Sequence, residues 1–448
     1  MPLSSPRDST IAVVGDGFGS LIVFATAIYL GFRPEDITIF GTSSSPVSTY
    51  FTFASNLGQT VLRSESESHF LPADWPTFAE LDAWSRRSLV PLARSVRRRY
   101  NPGVPDILTQ AQVVKEALGW DDSRMPCRVG WLQRAEGTTP HFVLYDEDAN
   151  VAGRAKHVIL ALGHGPLSFP PVLARARQDP ALAGRIVQAY EQKAYAPGGR
   201  YIVVGAGIAS INEWVNVLDA GGKAISLLRG PAPDEQDLNT PRCLFEALGI
   251  DAFQQLTFDE RIAFLGKILK GTSPRRRSWE ATIEDARREG RFDELMGEIV
   301  RVEPGPEGLG VHVASGYGPD PDPLDVTGVV CGTGFVRSVL VLPLIRRLVD
   351  FYALPVEHGA LALASNCGVP GLDSEGSRLC VMGLMANNVI PHGDTIAGLK
   401  YIGRRFVGDC ADVEGVTRSL TSRARMQIYL ASRAATAIRG ARREKQVA

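Results

Sequence analysis

No two cysteines in this chain stand in C-x-x-C spacing; the six lie apart at Cys127, Cys243, Cys331, Cys367, Cys380 and Cys410. That excludes a zinc knuckle or a dithiol redox centre built on such a motif. An H-x-x-x-H pair and a G-x-S-x-G elbow are also missing, so no metal ligands and no serine nucleophile are expected. Excess charge of either sign is lacking too. With 48 Lys and Arg against 49 Asp and Glu, the formal charge is −1. Such a balance gives no reason to expect nucleic acid or a membrane surface as a partner. The short runs Arg97–Arg99 and Arg275–Arg277 have no interleaved aromatics and read as solvated helix faces. Long apolar runs are absent. The longest, Leu21–Leu30, is about half the roughly 20 residues a bilayer span needs. Met1–Thr10 also lacks the basic-then-apolar layout of a signal peptide. The expectation is a cytoplasmic protein with reduced cysteines.

What is present is ordinary globular composition, 44% hydrophobic and 22% charged over 448 residues, enough for two or three cores. It is organised as a repeat. Ile11–Gly15 is a short β-branched run ending in glycine, followed by a Gly-rich turn, the apolar stretch Leu21–Leu30, and a second run, Ile37–Phe40. The same order recurs at Tyr201–Gly205, a Gly-rich turn, a helical stretch through about Ala220, and Ala224–Leu228. Strand, helix, strand of this length predicts βαβ units and parallel sheets. Each half continues with an extended segment, Arg128–Asp146 and Ile299–Ser315. Each then has a buried-looking strand closing on glycine, His157–Pro166 and Gly328–Phe335. The halves are roughly 190 residues apart, which suits two domains of usual size. Residues Ala232–Phe292 look helical and charged, like a solvated insertion, with a lid or docking face as the alternative. Thr417–Ala448 is helical in pattern.

The turns carry the chemistry. Gly15, Gly17, Gly19 and Ser20 fit G-x-G-x-x-[G/A] with Ser last, directly after a strand and opening a helix. The first glycine permits the tight turn. The second lets backbone approach a pyrophosphate, and a small third residue lets helix pack on strand. The helix N-terminus offers free N–H groups to the phosphates. Gly205, Gly207 and Ser210 repeat the spacing. Two such hits predict two dinucleotide sites, against purely structural glycine turns. Arg229 follows the second strand of the second unit, where a cation suits a 2′-phosphate and an acid would suit a free ribose. That favours NADPH over NADH, unless Arg229 is only a solvated strand end. The first unit lacks the expected acid: its second strand ends Phe40-Gly41-Thr42, leaving Ser43–Ser45 as weaker substitutes.

These residues resemble the flavoprotein monooxygenase superfamily with two dinucleotide-binding domains, which includes Baeyer–Villiger enzymes, flavin-containing monooxygenases and amino-acid N-hydroxylases. The resemblance runs through both Gly-rich turns, LALGHGP with Gly163, and CGTGF with Gly334. It implies an α/β fold of two Rossmann-type domains, the NADPH domain inserted into the FAD domain. FAD would fall to residues 1–166 and 330–448, and NADPH to 196–329, with the helical insertion at about 232–292. The family's F-x-G-x-x-x-H fingerprint is degenerate here: Leu182 replaces Phe and Gln188 replaces His. Leu62–His69 looks like a stretch that passes the flavin in the N-hydroxylase branch, making Arg63 and Ser64 candidates for cofactor contact. Leu379–Tyr401 resembles the element that closes the FAD domain, a strand leading to a helix whose N-terminus faces the flavin, with Asp394 as N-cap beside Thr395. Asn387, Asn388 and His392 precede it as candidates for ring or substrate contact, so the catalytic candidates are Gln188, Asn387 and His392.

The activity implied is an FAD-dependent, NADPH-using oxidoreductase, a monooxygenase that oxygenates a small organic substrate with O₂ through a flavin peroxide. The alternatives are an NAD(P)H:flavin or quinone-type reductase without oxygen insertion, and a non-catalytic nucleotide-binding redox sensor. The substrate and the oligomeric state, homo-oligomer included, are not legible.

Overall fold

The computed structural model describes residues 6–447 except 65, 98, 99, 136, 138–140, 231–237, 239, 269–278, 315–321 and 375; side chains are described to residue 444. Much of the proposed insertion, and the run Arg275–Arg277, lies outside the described residues.

Two β-sheets organise the chain. The first has Arg7–Val14 at its centre, paired in parallel with Ile37–Phe40 on one side and Val151–Leu160 on the other. Arg124–Met125 extends one edge. The long strand Val151–Leu160 changes partner along its length. Its first half pairs antiparallel with His141–Asp146, itself in a hairpin with Val129–Ala135, and its last residues pair in parallel with Leu379–Val381. The late strand thus completes a sheet begun some 370 residues earlier (379 − 7 = 372), while strands drawn from residues 186 to 331 form a second sheet in between.

That second sheet is wholly parallel, in the order Phe292–Met296, Lys223–Leu228, Arg200–Val204, Gly328–Cys331, Ile186–Gln188. A three-stranded antiparallel sheet, Glu298–Gly305, Gly308–Ala314 and Leu324–Val326, packs beside it. The nested two-domain α/β arrangement is therefore as expected, with the second sheet starting at Ile186, ahead of residue 196.

The periodicities explain the layers. Ile11–Val14, Ile37–Phe40 and Val158–Leu160 are continuous apolar runs because both faces of a parallel sheet are covered. Helix Phe18–Leu30 has no polar face and is buried almost throughout, as an all-round apolar helix must be. Helix Ile396–Glu414 lies against it at Gly403, where a Cβ would already touch Ile22 and Val23. Helix Leu420–Val447 occupies the C-terminal pattern as predicted.

The segment 232–292 departs from expectation. It is the crossover between two parallel strands of the second sheet, and its last residue, Phe292, opens the edge strand Phe292–Met296. Phe253 of helix Ala247–Gln255 and Leu265 of helix Phe258–Ile268 form a small core with Leu244 of the preceding turn Arg242–Phe245, while Ile250 joins the main one. They are not simply solvated.

Candidate active site

At the first glycine turn, strand Arg7–Val14 delivers Gly15 with φ +120°, its N–H donating to the Phe40 carbonyl at 2.8 Å. A Cβ there would stand 2.1 Å from the Ala161 carbonyl oxygen, so only glycine fits. Gly17 is the N-cap of helix Phe18–Leu30, and nothing lies within 4 Å of a Cβ built on it. Gly19 packs so closely on Met382 and Ala161 that a Cβ would meet Sδ at 3.0 Å. Ser20 turns its hydroxyl inward onto the Gly17 carbonyl at 2.7 Å. The three small residues play three different parts: bend, open face, close packing.

The second turn repeats the scheme. Gly205 has φ +110°, its N–H donating to Leu227 at 3.1 Å. Gly207 is the N-cap of helix Ile208–Asp219 and again faces open space. Ser210 wedges between Gly205 and Gly332, where a Cβ would overlap its Oγ at 2.0 Å. Arg229 is exposed just past strand Lys223–Leu228; residues 231–237 beyond it lie outside the described residues. Both bends sit at strand-to-helix junctions, and a Cβ built on Gly17 or on Gly207 would meet nothing within 4 Å beyond its chain neighbours. The cradles fit the group that the sequence implies.

The two chain crossings between the domains meet beside these cradles. Leu167 and Phe335 form an antiparallel bridge, Ser168 N–H donates to Gly334, Thr333 Oγ1 donates to Ser168, and Val336 N–H donates to Pro166. Gly163 and Gly334 both take positive φ, +74° and +69°. Both are conformations that favour glycine. The His164 ring stacks on Phe335 with centroids 4.5 Å apart, and Tyr190 and Phe53 close the aromatic group. His164 is exposed, and desolvation by the protein packed on its ring lowers its pKa against the pull of Asp394. Sequence reasoning missed His164 although it stands inside LALGHGP, because nothing local announces its stacking partner.

Gln188 lies at this junction as well. Its Nε2 donates to the Gly334 carbonyl at 2.9 Å and its Oε1 accepts from Tyr190 N–H at 3.0 Å. Buried and spoken for at both ends, it ties the domain crossing to the edge strand.

Residues 383–395 line the other side. Asn387 is buried with neither amide atom partnered, Asn388 donates to Leu361 at 2.7 Å but leaves Oδ1 without a partner, and His392 leaves Nδ1 without one. Unpaired buried polar atoms are costly, and here three residues of one loop carry them. Burial pushes His392 down to about 4, against the pull of the Leu244 backbone, and Phe245 covers its ring at 4.4 Å. Phe245 belongs to the crossover, as do Thr240, which donates to Pro391, and Gln254, which donates to Val389 and Ser365. The described part of this segment thus packs on the loop that holds the candidates.

Thr395, not Asp394, is the N-cap of helix Ile396–Glu414. Its extended backbone lets Oγ1 accept from Gly398 N–H at 3.1 Å while donating to the His392 carbonyl at 2.8 Å. The cap falls one residue later than expected because Asp394 is still in the turn.

Leu62–His69 is held from the far side of that helix. Ser64 is buried and donates to Ser68 at 2.6 Å; Arg63 is half-buried with its own partners; Glu65 lies outside the described residues. His69 is buried between the Asp74 carbonyl and the Lys400 ammonium, at 3.0 and 3.3 Å. Lys400 also reaches Asp74 at 3.3 Å. Burial pulls Lys400 down to about 7, with Arg404 adding to it, and burial beside Lys400 lowers His69. Burial would raise Asp74, but Arg404 and Lys400 hold it at about 2. Among the described residues no group of His, Cys, Asp and Glu could hold a metal ion, and no helix is long and apolar enough to cross a membrane.

No protein-family model matches the chain, and no curated protein does. Solved structures match its fold. The ornithine N-hydroxylase of Kutzneria sp. 744, solved with reduced FAD, NADP⁺ and L-ornithine, is 14% identical over 91% of this chain and 100% of its own, with a TM-score of 0.69. The ornithine hydroxylase of Pseudomonas aeruginosa is 14% identical over 91% and 100%, at 0.67. The bacillithiol disulfide reductase of Bacillus cereus is more distant, 12% identical over 91% and 99%, at 0.52. The chain therefore has the fold of the two-domain flavoproteins.

Proposed function

We propose that this chain is an FAD-dependent, NADPH-using monooxygenase that oxygenates a small organic substrate, with amines of amino-acid type as the first to test. FAD falls to residues 1–166 and 330–448, and NADPH to the inserted domain, 196–329. The observation that carries the reading is the pair of glycine bends, each at a strand-to-helix junction and each with open space above its second glycine. The likeness in fold to N-hydroxylases, spread over nearly the whole chain, supports it.

Bound FAD would supply a hydride acceptor for NADPH and, once reduced, the electrons that activate O₂. The balance is NADPH, H⁺, O₂ and substrate giving NADP⁺, water and an oxygenated product. The residues of this chain do the rest. Gly17 and Gly207 admit the two diphosphates. The N-terminus of the helix headed by Thr395 favours negative charge near it. Asn387, with both amide atoms unpartnered, offers a donor and an acceptor to a bound group. His392, neutral above about pH 4, can accept or donate one hydrogen bond without carrying charge into a buried site. Phe245, Thr240 and Gln254 close the loop from the crossover side and limit water access.

Purified protein should carry flavin absorbance and consume NADPH and O₂ when given a substrate amine, forming hydroxylated product in step with NADPH use. NADPH oxidation that yields only H₂O₂ or a reduced acceptor, with every candidate amine and ketone, places the protein among the reductases. Absence of flavin binding removes the enzyme reading. Arg229→Ala should raise KM for NADPH and leave KM for NADH within about twofold; equal effects on both overturn the NADPH assignment.

A further inference from the structure

The first dinucleotide unit lacks an acid after its second strand, where a Rossmann fold usually receives the adenosine ribose. The structure supplies a carboxylate from elsewhere. Asp16, between the first two glycines of the turn, reaches across to the end of strand Ile37–Phe40, where Oδ2 accepts the Ser43 N–H. Its side chain lies over Gly41. A Cβ built on Gly41 would stand 2.4 Å from Asp16 Oδ2 and 2.5 Å from its Cβ and Cγ. Acid and glycine have traded places: the residue after the strand has no side chain, and the space it would use is filled by a carboxylate from the turn.

From this exchange we infer that Asp16 is the ribose-binding acid of the first cradle, a role that rests on the FAD reading above. Three observations carry it. Asp16 follows the bend at Gly15 and precedes the open face at Gly17, so it flanks the space left for the diphosphate. Among the described residues the Ser43 N–H is the one hydrogen-bond donor to its carboxylate, which leaves Oδ1 and further lone pairs for ribose hydroxyls. Of the serines that could have substituted, Ser43 is otherwise engaged through the bonds of its Oγ to the Ser45 carbonyl and Ser48 Oγ, at 2.8 and 2.7 Å. They fix the loop so that Ser43 N–H can anchor the acid.

The test is titration of flavin-free protein, followed by flavin fluorescence, with FAD and with an analogue lacking the adenosine 2′- and 3′-hydroxyls. The intact protein should prefer FAD by tenfold or more. Asp16→Gly should weaken FAD binding by about that factor and bind both flavins alike. Gly41→Glu alone should bind FAD poorly, because the new side chain meets Asp16. Asp16→Gly combined with Gly41→Glu, which moves the acid back to the strand end, should recover affinity and preference. If Asp16→Gly fails to fold by circular dichroism, Asp16→Asn keeps an acceptor for Ser43 and should still lose severalfold of the preference. A variant at Asp16 that retains the full preference, or intact protein that binds both flavins equally, overturns the inference while leaving FAD binding itself in place. Intact protein that binds neither flavin overturns the cofactor reading instead.

Discussion

Alanine substitutions at the three kinds of glycine should separate folding from cofactor binding. At Gly17 and Gly207 the backbone is extended, with φ −90° and −75°, and a methyl group meets nothing within 4 Å. Gly17→Ala and Gly207→Ala should therefore leave the flavin-free protein as stable as before, or slightly more so, since alanine restricts the unfolded chain. Yet the methyl enters the space where a phosphate oxygen must come within hydrogen-bonding range of backbone. Losing one charged hydrogen bond there removes about 1.5–3 kcal/mol, equivalent to about 10- to 150-fold in affinity. The cradles should respond separately: Gly17→Ala lowers flavin retention, while Gly207→Ala raises KM for NADPH and keeps the flavin. Gly15→Ala is the contrast. Its φ of +120° and the 2.1 Å approach to the Ala161 carbonyl force backbone against backbone, so the protein should lose stability before binding is at issue. Apoprotein melting, flavin content after gel filtration and steady-state NADPH kinetics read all three. Gly207→Ala with an unchanged KM for NADPH and intact folding would refute the reasoning, since the open face would then accept no phosphate.

Other consequences follow from the polar groups. Lys400 has a folded pKa near 7 against an ordinary 10.5, so between those values the unfolded chain holds the extra proton and stability rises with pH. Lys400→Met should flatten that rise when urea midpoints are compared at pH 7 and pH 9.5; an unchanged slope would count against the burial of this ammonium. Asn387→Leu should stabilise the flavin-free protein by about 1 kcal/mol, by removing unpaired buried polar atoms, and should cut turnover; a fall in both would make Asn387 a packing residue. Thr395→Ala should cost about 1 kcal/mol, visible as faster amide exchange in the first turn of its helix. His392 should titrate near pH 4 by NMR, and a midpoint near 6.5 would show that its ring is solvated.

The glycine turns were legible because they are local: a buried strand, a bend and an apolar helix stand within about 30 residues, and each step has its own residue signature. The failures were those of distance. Leu244, Phe253 and Leu265 are diluted among Asp251, Asp259, Glu260 and Arg261, so their small core emerges only once the segment folds and docks at Val389 and Pro391. The edge strand Phe292–Met296 buries only Phe292 and carries two acids, which disguises it as the end of a charged helix. Gln188 stood in a catalytic fingerprint by position, but its amide bonds backbone at both ends. Asp16 was visible throughout as an acid in a glycine turn. Its meaning depended on seeing that Gly41, 25 residues on (41 − 16 = 25), leaves it room.

The paired crossing at Leu167–Ser168 and Thr333–Val336 has a mechanical side. Two links bonded shoulder to shoulder hold the inserted domain to the first more firmly than either strand of chain would alone. Close to them Asn56 donates to Tyr190, Lys193 donates to Asn56, and Asn216 donates to Leu57, so the helix Ser48–Asn56 adds a third tie between the two sheets.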